Sequence, residues 1–337
     1  MAFMLFKPVG RVLLAVFVVI VVAVAWFALQ VDPIFAHKSK EVIVTVHSGD
    51  SFSTVAGELH AKGVIASPFA LRLESLVLGA VDLRAGTYQL RQGSSFATVR
   101  AILSRPPNVV VINATPGLTL HEIALEVASE RGVDFANQFA RVATNAATPS
   151  TYGDGSSLEG LVGAGTYLIT GSTTPGELAK RMVDRFRREA SSVGLTPTST
   201  TEGLHAYQVI TAASIVEKEG YYPRNMPKVA RVILNRLARG GPLQMDSTVL
   251  YYFQQDGGTV TPAMLHTQTP YNTYLNVGLT PTPICTVSKD ALRAVLHAPK
   301  GSWLYFTVIN KHGDEAFATT FSQQLKNEAT AEKRGLE

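Results

Sequence analysis

Leu204-His205-Ala206-Tyr207-Gln208-Val209-Ile210-Thr211-Ala212-Ala213-Ser214-Ile215-Val216-Glu217-Lys218-Glu219-Gly220 is the stretch around which the chain is organised. Leu204, Val209, Ile210, Ala213 and Val216 recur at helical spacing and Gly220 supplies a stop, so the run predicts an amphipathic helix over 204–219. Its last turn carries acids, although the C-terminal end of a helix is already negative and favours Lys, Arg or His. At about 100° per residue, Glu217 falls in line with Ala206, Ile210 and Ala213, and Glu219 falls between Ala212 and Ile215. Both border apolar surface, where desolvation and the helix dipole push a carboxyl pKa upward. An acid still protonated near neutral pH suits general-acid catalysis. A solvated, functionless helix end fits the same pattern, because perturbed acids mark sites only statistically.

The chain around this helix has 337 residues, 46% hydrophobic and 17% charged, which gives room for two domains with cores and excludes a disordered protein. Cys285 is the single cysteine and cannot form an internal disulfide, which excludes a cysteine-stapled scaffold. The net charge of +4 is scattered; it argues against nucleic acid as a partner and suits an anionic cell-surface matrix. Val12 to Val31 holds no charge and only Gln30 as a strong polar group, long enough to cross a hydrocarbon core of about 30 Å. Lys7 and Arg11 precede it, so the positive-inside tendency predicts a cytoplasmic tail over 1–11, a span over 12–31 and an extracytoplasmic body. The apolar run exceeds a signal-peptide core and no clear cleavage site follows, so an uncleaved anchor is expected.

After a linker over 32–41, Val42 to Val46 reads as a strand, Ser51 as the cap of a helix over Phe52–His60, and Pro68 to Leu78 as a second helix. Ala85-Gly86-Thr87-Tyr88-Gln89-Leu90 reads as a strand, and Gly93-Ser94-Ser95 as a turn and cap before a helix to Leu103. The order then recurs: a strand over Val109–Ile112, a cap at Thr119, helices near 120–130 and 135–144, the strand Ala164-Gly165-Thr166-Tyr167-Leu168-Ile169, and a helix from Pro175 to about Glu189. That recurrence predicts an internal duplication. Loop-like sequence follows over Ser191–Gly203, and a helix begins at Pro227 and ends at Gly240-Gly241. Trp303 to Ile309 reads as a buried strand and the stretch from Ser322 as a surface helix. Tyr, Asn and Gln crowd into 243–252 and 269–274, which suits a carbohydrate groove and equally suits ordinary turns with half-buried tyrosines.

Other chemistries lack their residues. The eight histidines show no pair at metal-ligand spacing, so no metal is expected. No Gly-x-Ser-x-Gly elbow or phosphate loop is present, and Gly163-Ala164-Gly165 lacks the third glycine of a dinucleotide fingerprint, so no cofactor is expected. Asn113-Ala114-Thr115 matches the short glycosylation pattern, which is weak alone. Carboxylate chemistry remains. Glycoside hydrolysis ordinarily needs two flanking carboxyls. On the wheel Glu217 and Glu219 lie about 200° apart, which argues against such a pair.

Ala213-Ser214-Ile215-Val216-Glu217-Lys218-Glu219, Val229-Ala230-Arg231-Val232-Ile233-Leu234-Asn235-Arg236-Leu237, Leu243-Gln244-Met245-Asp246-Ser247-Thr248-Val249 and Thr269-Pro270-Tyr271-Asn272-Thr273-Tyr274, in this order and spacing, resemble the MltG (YceG-like) endolytic murein transglycosylase family. The resemblance implies an α+β protein: a single transmembrane helix, a LysM-like module over 42–106 and a catalytic domain over 107–337, with a second repeat unit over 107–190 and the catalytic core over 204–325. It implies cleavage of nascent peptidoglycan between N-acetylmuramic acid and N-acetylglucosamine, leaving 1,6-anhydro ends, with no cofactor. Glu217 would be the acid and then the base, Glu219 a secondary acid, and Ser214, Gln244, Asp246, Tyr271, Asn272 and Tyr274 would contact substrate. The partners implied are glycan strands, the cytoplasmic membrane and peptidoglycan synthases or division proteins. The chain departs from the family at Gly163-Ala164-Gly165, at Ser247, over Gly278–Pro283, and at Glu315 and Gln324, where histidines are common. A non-catalytic wall-binding scaffold and a hydrolase using Asp246 as second carboxylate are the competing readings.

Overall fold

The computed structural model describes residues 6–32, 40–79, 81–145, 150–153, 157–220 and 222–336. Most of the expected linker over 32–41 and the first five residues of the expected tail lie outside them. Helix α1, Phe6–Val31, contains one apolar segment long enough to cross a membrane, Gly10–Val31, with side chains exposed from Arg11 to Trp26. The chain divides into one unit over 1–110 with 168–172 and a second over 111–167 with 173–337.

In the first unit, β1 (Glu41–Val46) pairs antiparallel with β2 (Gly86–Arg91), from Glu41 opposite Arg91 to Val46 opposite Gly86. Alternation buries Val44 and Val46 of β1 and Tyr88 and Leu90 of β2, as a half-buried ladder requires. Three helices cover that face: α2 (Phe52–Ala61), α3 (Pro68–Leu78) and α4 (Phe96–Leu103). Each begins on a serine whose hydroxyl accepts a first-turn amide: Ser51 from Thr54, Ser67 from Ala70, Ser95 from Thr98.

The strand-helix-helix-strand-helix order then repeats as β3 (Val109–Ala114), α5 (Leu120–Arg131), α6 (Val133–Thr144), β4 (Gly165–Thr170) and α7 (Pro175–Ser192). The two Ala-Gly-Thr-Tyr stretches share backbone geometry. Gly86 and Gly165 have φ of 142° and 148°. The hydroxyls of Tyr88 and Tyr167 each donate to the carbonyl four residues back, on Arg84 and Gly163.

The second unit then adds a short hairpin, β5 (Thr200–Thr201) with β6 (Leu204–His205), so the central helix α8 starts at Ala206 rather than Leu204 and runs to Glu219. α8 touches α9 (Met226–Ala238), α10 (Asp246–Tyr252) and α12 (Lys289–Leu296); the short α11 spans Pro262–Leu265. Val209 to Val216 are all buried, far more than one amphipathic stripe, because packed helices surround α8. Strands β7 (Tyr305–Val308) and β8 (Glu315–Ala318) pair antiparallel and α13 (Phe321–Glu332) touches both. The expected buried strand over 303–309 is therefore shorter and half-exposed, as a two-stranded ribbon offers only one covered face.

Candidate active site

The last turn of α8 opens on a cavity of about 550 Å³ lined by Glu217, Lys218, Glu219, Asp246 and Ser247 among others. A second cavity of about 420 Å³ is lined by Glu219, Gln244, Asp246 and Tyr274, with Tyr305, Phe306 and Phe321 as its aromatic surface. Glu219 and Asp246 line both, so the two cavities adjoin at these residues. One cavity thus reaches both glutamates at the end of the helix, although they turn to different partners, Glu217 to Ser288 and Glu219 to Ser247.

Each acid is held differently. Oε2 of Glu217 accepts the backbone N–H of Ser288 at 2.8 Å, and Ser288 is the N-cap of α12. Burial pushes the Glu217 carboxyl above its ordinary range and the Asp290 charge adds to that, while the Ser288 bonds and Lys218 pull it back. Oε1 of Glu219 accepts the Ser247 hydroxyl at 2.6 Å and the Ser247 N–H at 3.3 Å. Burial also raises Glu219, with Asp246 reinforcing the shift and the Ser247 bonds and Arg236 opposing it. Between them, Lys218 donates to Asp256 at 2.5 Å and to the Gly117 carbonyl at 3.3 Å. Asp246 accepts the Tyr274 hydroxyl at 2.6 Å, and Gln244 is exposed on a backbone with φ of 51°. Among the described residues, no group of three or more His, Cys, Asp or Glu is arranged to hold a metal ion.

Two expected contact residues lie inside instead. Ser214 is fully buried; its hydroxyl donates to the Thr211 carbonyl at 2.7 Å and accepts the Ile284 N–H at 2.9 Å. Asn272 is also fully buried, donating to the carbonyls of Leu265 and Thr267 and accepting the Tyr274 N–H. Their hydrogen-bonding capacity goes to shaping the loops, which corrects their reading as substrate contacts. Tyr271 lines a third cavity of about 210 Å³, its ring tilted 49° to that of Tyr251 with centroids 5.0 Å apart.

That third cavity contains an acid the sequence reading passed over. Glu159 is 5% exposed and accepts the Leu120 N–H at the start of α5 (3.1 and 3.3 Å) and the Tyr251 hydroxyl (3.1 Å). Burial raises its pKa to about 7 against these bonds. An acid inside the apolar run Leu158–Val162 was the available signal. Because the folded pKa exceeds the unfolded one, this group's stabilising contribution is complete below about pH 4.5 and is lost as pH rises through about 7, to the extent of about 3 kcal/mol. Glu159→Gln should remove that slope; denaturant midpoints of both proteins across pH 4.5–7.5 measure it. The neighbouring Gly160 has φ of 70°, and a Cβ there would lie 2.2 Å from Pro283 Cβ. Gly160→Ala should therefore cost about 2–4 kcal/mol, read from the same midpoints.

Glu315, one of the departures from the family pattern, is a second acid with buried carboxyl oxygens. Among the described residues neither oxygen has a hydrogen-bond partner of good geometry. Burial and the Glu219 charge raise it to about 7; Asn225, which donates to the Gly313 carbonyl, and Arg224, paired with Asp314, offset this only partly.

A central buried helix that ends in desolvated acids at an open, aromatic-walled groove defines a carboxylate site of the kind glycan-cleaving proteins use. The YceG-like family model matches residues 44–330, and the chain belongs to that family. A protein of Bacillus subtilis (strain 168) named endolytic murein transglycosylase is 28% identical over 312 residues, covering 88% of this chain and 86% of that one. A longer protein of Streptococcus pneumoniae serotype 2 (strain D39) with the same name is 27% identical, covering 88% of this chain and 59% of the other. The crystal structure of a YceG-like protein from Listeria monocytogenes aligns with a TM-score of 0.51 at 24% identity, over 85% of this chain and 99% of that one, a likeness of fold.

Proposed function

We propose that this chain is a membrane-anchored endolytic transglycosylase of peptidoglycan, with Glu217 as its acid and base. The observation that carries the reading is the Glu217 carboxyl, raised by burial and open to the groove, with Oε2 on the N-cap amide of α12. The names borne by its relatives give the substrate class. In the proposed reaction Glu217 donates its proton to the oxygen linking N-acetylmuramic acid to N-acetylglucosamine, and that bond breaks. The resulting carboxylate takes the proton of the muramic acid C6 hydroxyl as its oxygen bonds to the anomeric carbon. A 1,6-anhydro ring forms, no water is consumed, and the acid is regenerated. The Ser288 N–H and the N-terminal end of α12 favour the charged form during the interval in which Glu217 is a base. Gln244, Asp246 and Tyr274 would contact the sugars, and Tyr271 would brace the neighbouring wall. The α1 segment would anchor the protein with its body outside the cytoplasm, residues 42–106 would be a LysM-like glycan module, and synthases or division proteins would be neighbours.

Mass spectrometry of a peptidoglycan digest by the full chain tests this. Products with anhydromuramic ends, one water lighter than hydrolysis products, are expected. Binding without cleavage would replace the reading with a wall-binding scaffold. The shared cavity of Glu217, Glu219 and Asp246 favours one second reading, hydrolysis by a carboxylate pair, and reducing ends on the products would identify it.

A further inference from the structure

Helix α3 leaves half of its surface unexplained. Ala70, Leu71 and Glu74 are buried against the first unit's core. Phe69, Leu73, Leu76 and Val77 are 62%, 41%, 82% and 79% exposed, and at about 100° per residue they fall within one arc of about 100°. Arg72 is exposed along one edge of that arc, and Leu78, also exposed, extends the apolar surface at the helix end. Scattered exposed apolar residues are ordinary, but a continuous stripe marks a contact surface. An apolar stripe with a basic flank is the pattern of a helix lying in the plane of a membrane surface, its apolar face about 5–10 Å below the headgroups.

The neighbour of α3 identifies the occupant. α3 touches α1, and Phe27 and Val31 of α1 pack against the same core as Ala70 and Leu71. The membrane-length segment ends at Val31, and Phe27 lies four residues before that end, about 6 Å along the axis. A helix packed beside this last turn is at the depth an interfacial helix occupies. Trp26, 44% exposed at the same level, is the residue type that marks the headgroup boundary.

We infer that α3 is an interfacial helix that inserts Phe69, Leu73, Leu76 and Val77 into the lipid surface beside the end of α1. This rests on the reading of α1 as a membrane anchor. The stripe and α1 would then hold the first unit to the bilayer at two places, restricting its rotation about the anchor.

The test is a nitroxide at Leu76→Cys in the full chain in lipid nanodiscs of phosphatidylethanolamine and phosphatidylglycerol, with Val19→Cys and Ser53→Cys as references. Cys285 is buried and stays in place. Power saturation should show the label at 76 more accessible to oxygen than to a water-soluble nickel chelate, as at 19, with the reverse at the exposed helix-α2 position 53. An aqueous profile at 76 with a lipid profile at 19 overturns the inference and leaves the anchor standing. An aqueous profile at 19 overturns the anchor and the inference together. Dipolar broadening at 76 that persists at high lipid-to-protein ratio would mean a second copy covers the stripe, and also overturns it. In the inserting case, Leu76→Glu with Val77→Glu should move a label at Phe69→Cys from the lipid to the aqueous profile while the circular dichroism stays unchanged.

Discussion

Glu217→Gln should lower release of anhydromuropeptides by on the order of 10²–10⁴-fold, the usual contribution of a positioned acid-base group. Glutamine keeps the shape and can still accept the Ser288 N–H through its amide oxygen, so the contact between α8 and the start of α12 survives. It cannot donate the proton that the leaving oxygen needs. The variant should also be no less stable than the parent at neutral pH, because the amide removes the desolvation that raises the native carboxyl. Glu219→Gln is the internal control. Its oxygen is taken by the Ser247 hydroxyl, a bond an amide oxygen also accepts, so a far smaller loss is expected. Product quantification beside thermal melts reads all three proteins. Unchanged turnover in Glu217→Gln would end its assignment, and a collapse confined to Glu219→Gln would transfer the role.

How far these residues were legible in the sequence depends on how local their determinants are. Periodicity and a terminal glycine are local, so α8 was placed to within two residues of its start. Ser-x-x-Thr and Thr-x-x-Glu caps are local too, and the helices after Ser51, Ser95, Thr119 and Thr174 began where expected. The upward pKa shifts followed from the same helix, since neighbouring apolar residues on α8 guarantee some burial. Which acids share a cavity is not local. The wheel separates Glu217 from Glu219 around α8, but it carries no information about the groove at the helix end, where α10 and the loop over 115–118 meet it. Ser214 and Asn272 belong to motifs that resemble a site, and only packing shows that their polar atoms are spent on the chain's own carbonyls and amides. Glu159 needed the reverse inference. An acid amid apolar residues reads as an exposed interruption until its partners, 39 and 92 residues away for Glu159, are known.

Arg231 gives the second large effect, and it connects the family motif on α9 to the groove wall. It is 8% exposed; Nε donates to the Pro299 carbonyl at 2.6 Å, and Nη2 donates to the Ala298 carbonyl at 3.0 Å and to Glu202 at 2.9 Å. Little more than one turn along, Asn235 donates to the carbonyls of Gly301 and Trp303, and Arg236 donates to that of Leu304 at 2.8 Å. These three side chains thus hold an irregular backbone over 298–304 that has no ladder of its own and leads directly into Tyr305 and Phe306 of the groove. Arg231→Met keeps most of the stem's packing but strands the Pro299 and Ala298 carbonyls and leaves Glu202 without its partner. The part-buried carbonyls stranded here cost about 1–2 kcal/mol each, the lower part of the range for a lost partner, and the half-exposed Glu202 loses little more, so a destabilisation of about 3–4 kcal/mol is expected. At about 2–4 °C per kcal/mol for a domain of this size, the thermal midpoint should fall by roughly 10 °C. Arg231→Lys should recover only part of that loss, because one ammonium cannot reproduce the guanidinium fork that reaches two carbonyls and a carboxylate at once. A Lys variant as stable as the parent would show that charge alone is sufficient at this position. At temperatures well below the new midpoint, the Arg231→Met protein should bind glycan more weakly while keeping its bond-cleaving step, since the change loosens the aromatic wall and leaves Glu217 in place.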